Sequence, residues 1–566
     1  MYSEKKIWAA SSQDGSNRIY LNPAMANRHG IIAGATGTGK TITMKVLAES
    51  FSDMGVPVFF SDVKGDLSGM CTPGRDTEDM QKRINFFGIE DFQYKSYPTR
   101  FWDIFGEAGT NIRVTVSDMG PTLLAKLFGL TEVQAGVLNV VFRAADDQGL
   151  LLLDLKDLRA MLQYVSDNRT EYSSMYGNVT VQSVGAIQRA LLAFEDEGGA
   201  ALFGEPMLDI RDFIRTDIDG RGYINILSSN RLIQSPLVYS TFLLWLLTEL
   251  FERLPEVGDL EKPRFVFFFD EAHLMFSDCS KSLIAKIVQV VKLVRSKGVG
   301  VYFVTQSPSD IPNEVLAQLS NRVQHGLRAY TPSEQRAVKA AADAFRENLG
   351  FKTEEVLMAL GTGEALVSFL DEKGIPSIVE YAKILPPQSL MGASDPSVVT
   401  NVINSDEFSI KYNEDVDRES AYEIIMAARQ KLEEERAAEE EARKAEEEAK
   451  KAEAEAKKAE AEEKKRTAAE EREEKKRLAE EEKAAKKAQK EKDKKKDKVS
   501  KAAQKAVTSA TSSVARSVST NMINSVLGGK KTSAQTMAKR AATNALSSVM
   551  RSGVSAVIRG LFDTKK

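Results

Sequence analysis

The feature that most constrains this chain is the stretch GATGTGKT at positions 34–41, which fits the pattern G-x-x-x-x-G-K-[ST] at every fixed position. A short apolar run precedes it and a run with helical apolar spacing follows it, so its context is strand, loop and helix. Glycines let the backbone turn its N–H groups toward phosphate oxygens, and the positive end of the following helix dipole points to the same place. The stretch therefore predicts a nucleotide-binding loop.

The residues of this loop have distinct expected tasks. Lys40 is placed to reach the β- and γ-phosphates, and the Thr41 hydroxyl is placed to ligate Mg²⁺. The alternative, a chance glycine-rich turn, is disfavoured because the fixed positions and both flanks agree. We expect the nucleotide to contact the whole loop, whose residues are Gly34, Ala35, Thr36, Gly37, Thr38, Gly39, Lys40 and Thr41.

A second stretch far downstream carries two acids. An unbroken apolar run at 265–269 is typical of a buried parallel strand, and it ends in Asp270 and Glu271. We expect Asp270 to hold the Mg²⁺ shell and Glu271 to act as the general base that polarises the attacking water. The alternative is a strand end without a catalytic role. The acid pair favours hydrolysis of ATP, and the sequence contains no Asn-Lys-x-Asp motif for reading guanine.

Other polar residues follow other predicted strands. Asp62 and Asp66 would lie at the same sheet edge, close to the metal and phosphates, or would form a plain turn. Gln306 would sense the γ-phosphate or orient the water, or would make a structural hydrogen bond. Arg322 and Arg328 are candidates for a finger supplied to the nucleotide of a neighbouring subunit, although surface ion pairs are the ordinary role of such arginines.

The alternation of strands and helices predicts an α/β fold with a central, mostly parallel sheet. Helical spacing without strand signals interrupts this alternation between the two halves of the core. We expect the following division: a first part of the core at 1–120, a helical insertion at 121–215, a second part of the core at 216–390, a connector at 391–426, a charged segment at 427–500 and a basic tail at 501–566.

The last two segments differ from the core in composition. Residues 427–500 are nearly all Ala, Glu, Lys and Arg, with Glu repeatedly preceding Lys at helical spacing. Because an apolar seam of the coiled-coil kind is missing, a single solvated helix is favoured, with a disordered charged linker as the alternative. Residues 501–566 contain eleven basic residues and one acidic residue, which fits binding of nucleic acid, a membrane surface or another protein.

Cysteine usage and the N-terminus bear on the compartment. Two cysteines give no disulfide framework, and no apolar run follows the first residues, so we expect no signal peptide. The most apolar helical stretch, 236–251, is too short to span a bilayer. These features predict a cytoplasmic protein.

Five motifs together resemble those of HerA-like ATPases in the HerA/FtsK superfamily of P-loop motors, and most nearly the bacterial YjgR-type group. The resemblance covers about residues 5–390 and rests on motifs in the same order: Gly34–Thr41, Asp62–Asp66, Phe269–His273, Val304–Gln306 and Asn321–His325. The resemblance implies a RecA-like core, a hexameric ring with nucleotide between subunits, and ATP-driven movement of double-stranded DNA. Archaeal HerA proteins also carry an N-terminal β-barrel domain, which we do not expect ahead of this phosphate loop.

Carried over by motif, the resemblance assigns nucleotide and Mg²⁺ binding to Lys40 and Thr41, the metal-side acid to Asp270 and the base to Glu271. It makes Gln306 the sensor, and it makes Arg322 the arginine acting in trans. The residues alone also allow an ATPase that remodels proteins or complexes without nucleic acid. A small-molecule kinase or a GTPase switch is a weaker alternative.

Overall fold

The computed structural model describes residues 1–3, 5–258, 260–276 and 281–493. The predicted basic tail and residues 494–500 of the predicted charged segment lie outside the described residues. The chain separates into two compact units, Met1–Met426 and Ala427–Lys566. Within the described residues, no helix combines the length and apolar character needed to cross a bilayer.

Within the described residues, thirteen strands form one sheet. They are β1 Tyr2–Ser3, β2 Lys6–Ser12, β3 Arg18–Leu21, β4 Gly30–Ala33, β5 Val58–Asp62, β6 Thr99–Asp103, β7 Thr110–Asn111, β8 Ile224–Ser228, β9 Phe265–Phe269, β10 Val299–Thr305, β11 Asn321–His325, β12 Glu364–Ser368 and β13 Glu380–Ile384. The α-helices are α1 Lys40–Asp53, α2 Glu78–Phe87, α3 Val116–Leu127, α4 Glu132–Gln148, α5 Leu155–Asp167, α6 Arg169–Tyr176, α7 Val181–Asp196, α8 Pro236–Arg253, α9 Lys281–Val294, α10 Asn313–Leu316, α11 Pro332–Asp343, α12 Thr353–Ala359, α13 Pro396–Ser405, α14 Glu407–Asn413 and α15 Ala421–Asp493.

The strand order across the sheet is β1-β2-β13-β12-β11-β4-β10-β9-β5-β8-β6-β7, with β3 paired to β2. The run from β11 to β7 is parallel throughout, and the strands on the β12 side pair antiparallel. Every residue of β5, β9 and β10 is buried, because helices cover both faces of a parallel sheet. The predicted mostly parallel α/β core is confirmed.

Helix α1 connects the core to the chain segment that leaves the sheet after β13. Two buried side chains on one face of α1, Lys45 and Glu49, bind this segment. The Lys45 ammonium donates to the carbonyl oxygen of Leu390 at 2.6 Å. The Glu49 carboxylate accepts hydrogen bonds from the backbone N–H groups of Gln388 and Ser389, both at 2.9 Å, and from the Ser389 hydroxyl at 2.6 Å. These bonds fasten segment 388–390 to the helix that begins at the phosphate loop.

Five helices, α3–α7, lie between β7 and β8, and the first of them begins at Val116, ahead of the predicted start of the helical insertion at residue 121. Their starts follow from capping residues in the sequence. The Thr131 hydroxyl accepts from the backbone of Gln134, which caps α4 in return, and Asp154 pairs with Asp157 in the same way at α5. Apolar residues on these helices are buried against one another and against α8.

The long helix α15 shows the periodic charge pairing that the sequence predicts. Glutamates and lysines four residues apart form ion pairs along its exposed length, for example Glu453 with Lys457 at 2.6 Å and Glu482 with Lys486 at 3.0 Å. Pairs of this kind stabilise an isolated helix by about 0.2–0.5 kcal/mol each. A long C-terminal helix, rather than an irregular linker, is therefore present up to Asp493.

Candidate nucleotide site

The phosphate loop connects β4 to α1, as the sequence predicts. Three of its glycines have positive φ angles: Gly34 at 154°, Gly37 at 77° and Gly39 at 115°. A side chain at Gly34 has no room, because its Cβ would lie 2.5 Å from the Cβ of His325. Glycine is required there by both backbone conformation and space.

Lys40 lies within the loop. Its ammonium donates to the carbonyl oxygen of Gly34 at 2.6 Å and to that of Ala35 at 3.1 Å. Burial lowers the pKa of Lys40, and the charge of Glu271 opposes this shift. The Thr38 hydroxyl also bonds to the Ala35 oxygen at 2.7 Å, so the loop is closed by its own side chains.

The acid pair follows β9, which is separated from β4 by β10 alone. All three strands are parallel, so their carboxyl ends meet at one edge of the sheet. Asp270 and Glu271 therefore lie at the same edge as the phosphate loop, and their charges act on Lys40. Ligands of open α/β sheets bind at this edge.

Glu271 has an unusual backbone conformation and a close cationic neighbour. Its φ of 48° lies in the left-handed region, which is uncommon for a residue with a side chain. Its Oε1 is 3.0 Å from the Lys64 ammonium. Its Oε2 is buried without a hydrogen-bond partner within the described residues and lies 3.5 Å from Nδ1 of His273. Burial raises the pKa of Glu271, but the hydrogen bond and charge of Lys64 outweigh burial and hold that pKa below its usual range.

Asp270 has the opposite electrostatic balance. Burial, followed by the negative charge of Glu271, raises the pKa of Asp270 to about 6. Its Oδ1 accepts the backbone N–H of Glu271 at 2.9 Å. A cation at this edge would stabilise the ionised form of Asp270, since opposite charge favours the carboxylate.

Asp62 forms a turn, one of the two roles that the sequence left open. Its Oδ1 accepts from the backbone N–H groups of Lys64 at 3.1 Å and Gly65 at 2.8 Å, and its Oδ2 accepts from Leu67 at 3.0 Å. Both oxygens are thus engaged by the backbone. The turn presents Lys64 to Glu271.

Gln306 and the two candidate arginines occupy different places. Gln306 follows β10 directly and is exposed; with Ala35 and Arg328 it lines a cavity of about 330 Å³. The Arg328 guanidinium donates to the carbonyl oxygens of Met358 at 2.6 Å and Leu360 at 3.3 Å. Arg322 pairs in register with Ile31, near the start of β4, so it lies away from the phosphate loop of its own chain.

A Mg²⁺ ion fits this site only with help from a nucleotide. Within the described part of the chain, no three His, Cys, Asp or Glu side chains cluster as a metal site would require. Mg²⁺ is usually held by one or two carboxylates together with substrate phosphates and waters. Asp270 and the Thr41 hydroxyl are the side chains available for such a shared shell.

The family model described as helicase HerA-like, C-terminal, matches residues 8–535. The chain belongs to this HerA-like family. A P-loop ATPase core of this family agrees with the parallel α/β sheet, in which one strand separates the phosphate-loop strand from the acid-bearing strand.

Two archaeal relatives of this HerA-like chain are similar over most of its length. The DNA double-strand break repair helicase HerA of Sulfolobus acidocaldarius is 21% identical over 401 residues, covering 68% of this chain and 70% of the relative. That of Sulfurisphaera tokodaii is 23% identical over 408 residues, covering 70% and 72%. Among solved structures, the bacterial conjugative coupling protein TrwB is 13% identical with a TM-score of 0.46, covering 70% of this chain and 93% of that structure.

Two residues at the site were not assigned a role from the sequence of this HerA-like chain. Lys64 contacts Glu271, and His325 packs against Gly34. The signal for Lys64 was its place just after a buried strand ending in Asp62. His325 ends β11, and its importance depends on β11 lying beside β4, which the sequence does not reveal.

Proposed function

We propose that this chain binds ATP with Mg²⁺ and hydrolyses it as a hexameric ring that moves along double-stranded DNA in the cytoplasm. The observation that carries the proposal is the meeting of the phosphate loop and the acid pair at one sheet edge, with Lys40 within electrostatic reach of both acids. The HerA-like family and the two relatives named as DNA repair helicases support DNA as the track.

In this mechanism the residues of the site have separate roles. The loop N–H groups and Lys40 would hold the β- and γ-phosphates, and Mg²⁺, when bound, would supply positive charge beside them. Thr41 and Asp270 would hold the metal. Glu271 accepts a proton from the attacking water, and Gln306 orients that water or senses the γ-phosphate.

The ring supplies the remaining group. We assign this role to Arg322 on the motif resemblance; in the sheet it lies level with Ile31 of β4 and not with the phosphate loop of its own chain. An arginine supplied in trans can raise phosphoryl-transfer rates by about 10³–10⁵-fold. The basic tail at 501–566 would add contacts to DNA, to a membrane surface or to another protein.

The test measures ATP turnover by the full chain with and without long duplex DNA. We expect DNA to stimulate turnover, and we expect displacement of a third strand from a triplex as the readout of movement. Stimulation by a protein partner but not by duplex DNA would instead favour an ATPase that remodels proteins or complexes. A single-subunit mass in the presence of a non-hydrolysable ATP analogue would contradict the ring.

Two substitutions test the chemistry. Lys40→Ala should abolish turnover together with tight nucleotide binding, and Glu271→Gln should abolish turnover while nucleotide binding persists. The matched control is Glu261→Gln, at an exposed residue shortly before β9 at the opposite end of that strand. Normal turnover in either site variant would contradict the assigned mechanism.

A further inference from the structure

We propose that His325 is a positioning residue that braces the phosphate loop from behind and so tightens nucleotide binding without touching the nucleotide. This inference rests on the proposed function, because it assumes that the loop binds a nucleotide. His325 is the last residue of β11, which runs parallel beside β4 with Gln324 level with Ala33. His325 therefore lies directly beside Gly34, where the loop begins.

The ring of His325 is completely buried and bonded at both nitrogens. Its Nδ1 is 2.8 Å from the carbonyl oxygen of Glu364, and its Nε2 is 2.8 Å from the Thr43 hydroxyl. A carbonyl oxygen can only accept, so Nδ1 carries the hydrogen and donates. Nε2 then accepts from the Thr43 hydroxyl, and the neutral ring satisfies both partners.

These partners belong to the two segments that hold the loop in place. Thr43 lies in the first turn of α1, three residues after Lys40, so its bond fixes the exit of the loop. Glu364 adjoins Gly363, whose backbone N–H donates to the Thr38 carbonyl oxygen inside the loop at 2.9 Å. One ring thus ties together β11, the start of α1 and the turn that supports the loop.

Close packing adds to the hydrogen bonds. The Cβ of His325 occupies the space that a side chain at Gly34 would need, and a Cβ at Gly39 would lie 3.5 Å from the ring. The His325 side chain therefore lies close to the loop at both ends, with its Cβ beside Gly34 and its ring near Gly39. A glycine-rich loop loses much conformational entropy when it is ordered around a ligand, and a brace that orders it beforehand reduces that cost.

The charge state of the His325 ring also suits its position. Burial lowers the pKa of His325 to about 4, and the nearby positive charges of Lys40 and Arg83 act in the same direction. The ring is therefore neutral near pH 7 and keeps Nε2 as an acceptor. The brace is present throughout the physiological pH range.

The chain offers a matched control in His29. This second histidine is also buried, and it directly precedes β4 at the opposite edge of the sheet. Its Nδ1 accepts the backbone N–H of Val301 at 3.1 Å, away from the phosphate loop. Replacing either histidine by asparagine removes a similar volume from the core, at the phosphate-loop end of β11 for His325 and at the far end of the neighbouring strand β4 for His29.

The experiment measures the Kd of a fluorescent ATP analogue with Mg²⁺ for the full chain, together with thermal unfolding. We expect His325→Asn to weaken binding about tenfold, the equivalent of one lost hydrogen bond, and His29→Asn to change Kd by less than about twofold. Thr43→Val should weaken binding by less than His325→Asn does, and Thr43→Ser, which keeps the hydroxyl, should bind like the wild type. The double variant Thr43→Val with His325→Asn should bind no worse than His325→Asn alone.

The outcomes separate this inference from the proposed function. Absence of nucleotide binding by the wild-type chain would overturn both. Wild-type binding with an unchanged Kd in His325→Asn and Thr43→Val would overturn the inference alone, as would equal losses in the two histidine variants. If His325→Asn fails to fold, Thr43→Val decides the matter, because it removes a single hydroxyl from the same contact.

Discussion

The two buried histidines make the core sensitive to mild acid, and His29 gives the clearest prediction. Burial lowers the pKa of His29 from its ordinary value of 6.5 to about 4 in the folded chain. Its Nδ1 accepts a backbone N–H, so protonation at that atom would break the bond. The unfolded chain takes up the proton first as pH falls. Stability from this group is therefore complete above pH 6.5 and is lost as pH falls toward 4.

The size of the effect follows from these two pKa values. Relative to high pH, where the ring is neutral in both states, the shift lowers the free energy of unfolding by only about 0.2 kcal/mol at pH 7 and by about 2 kcal/mol at pH 5. His325, with a folded pKa of about 4 as well, removes a similar amount. A His29→Asn chain keeps only the contribution of His325.

The assay is urea unfolding at pH 7 and pH 5, followed by tryptophan fluorescence. All three tryptophans lie in the unit Met1–Met426, so this signal reports on the core alone. We expect the wild type to lose about 2 kcal/mol more than His29→Asn over this interval, whatever the absolute stability of the variant. Carboxylate titration is common to both chains and cancels. An equal loss in the two proteins would refute the reasoning.

Three further predictions concern the site and the helix behind it. Gly34→Ala should abolish binding of a fluorescent ATP analogue while the core stays folded, because the new Cβ would lie 2.5 Å from the Cβ of His325. The control is Gly136→Ala in α4, where the added methyl group meets open space. Retained binding in Gly34→Ala would contradict the geometry. Lys64→Met should raise the pKa of Glu271 and so move the acid limb of the pH profile of kcat/KM to higher pH. Lys64→Arg keeps the positive charge and should leave the limb in place. An unmoved limb in Lys64→Met would mean that the ion pair does not set the pKa of Glu271. Glu49→Gln should lower the free energy of unfolding, measured with urea, by about 2 kcal/mol, because the new amide nitrogen would face backbone N–H donors. The control Glu261→Gln, at an exposed residue, should leave the free energy of unfolding nearly unchanged. Equal free energies of unfolding in the two variants would contradict the role of Glu49.

The position of the site could be predicted from the sequence because it depends on local rules. A glycine-rich loop after an apolar strand, and two acids after another, both belong at the carboxyl edge of a parallel sheet. The structure places Gly34 and Glu271 at that edge as predicted. Their placement needs only strand direction, which a strand–helix–strand pattern supplies.

The contacts within the site could not be predicted in the same way, because they depend on strand order and register. Lys64 reaches Glu271 only because β5 lies next to β9, and His325 reaches Gly34 only because β11 lies next to β4. Neither neighbour relation follows from order along the chain. Asp62 illustrates a different limit: an acid after a strand suits a metal ligand and a turn equally well, and only the three backbone N–H groups around it decide between them.

The grip of Lys45 and Glu49 on segment 388–390 has a mechanical consequence. Both side chains are buried and come from successive turns of the helix whose first residue is Lys40, and both bind the backbone of that segment. A helix held in this way cannot tilt or slide by itself. A displacement of the first turn of α1 on ligand binding would therefore also move segment 388–390, which follows β13.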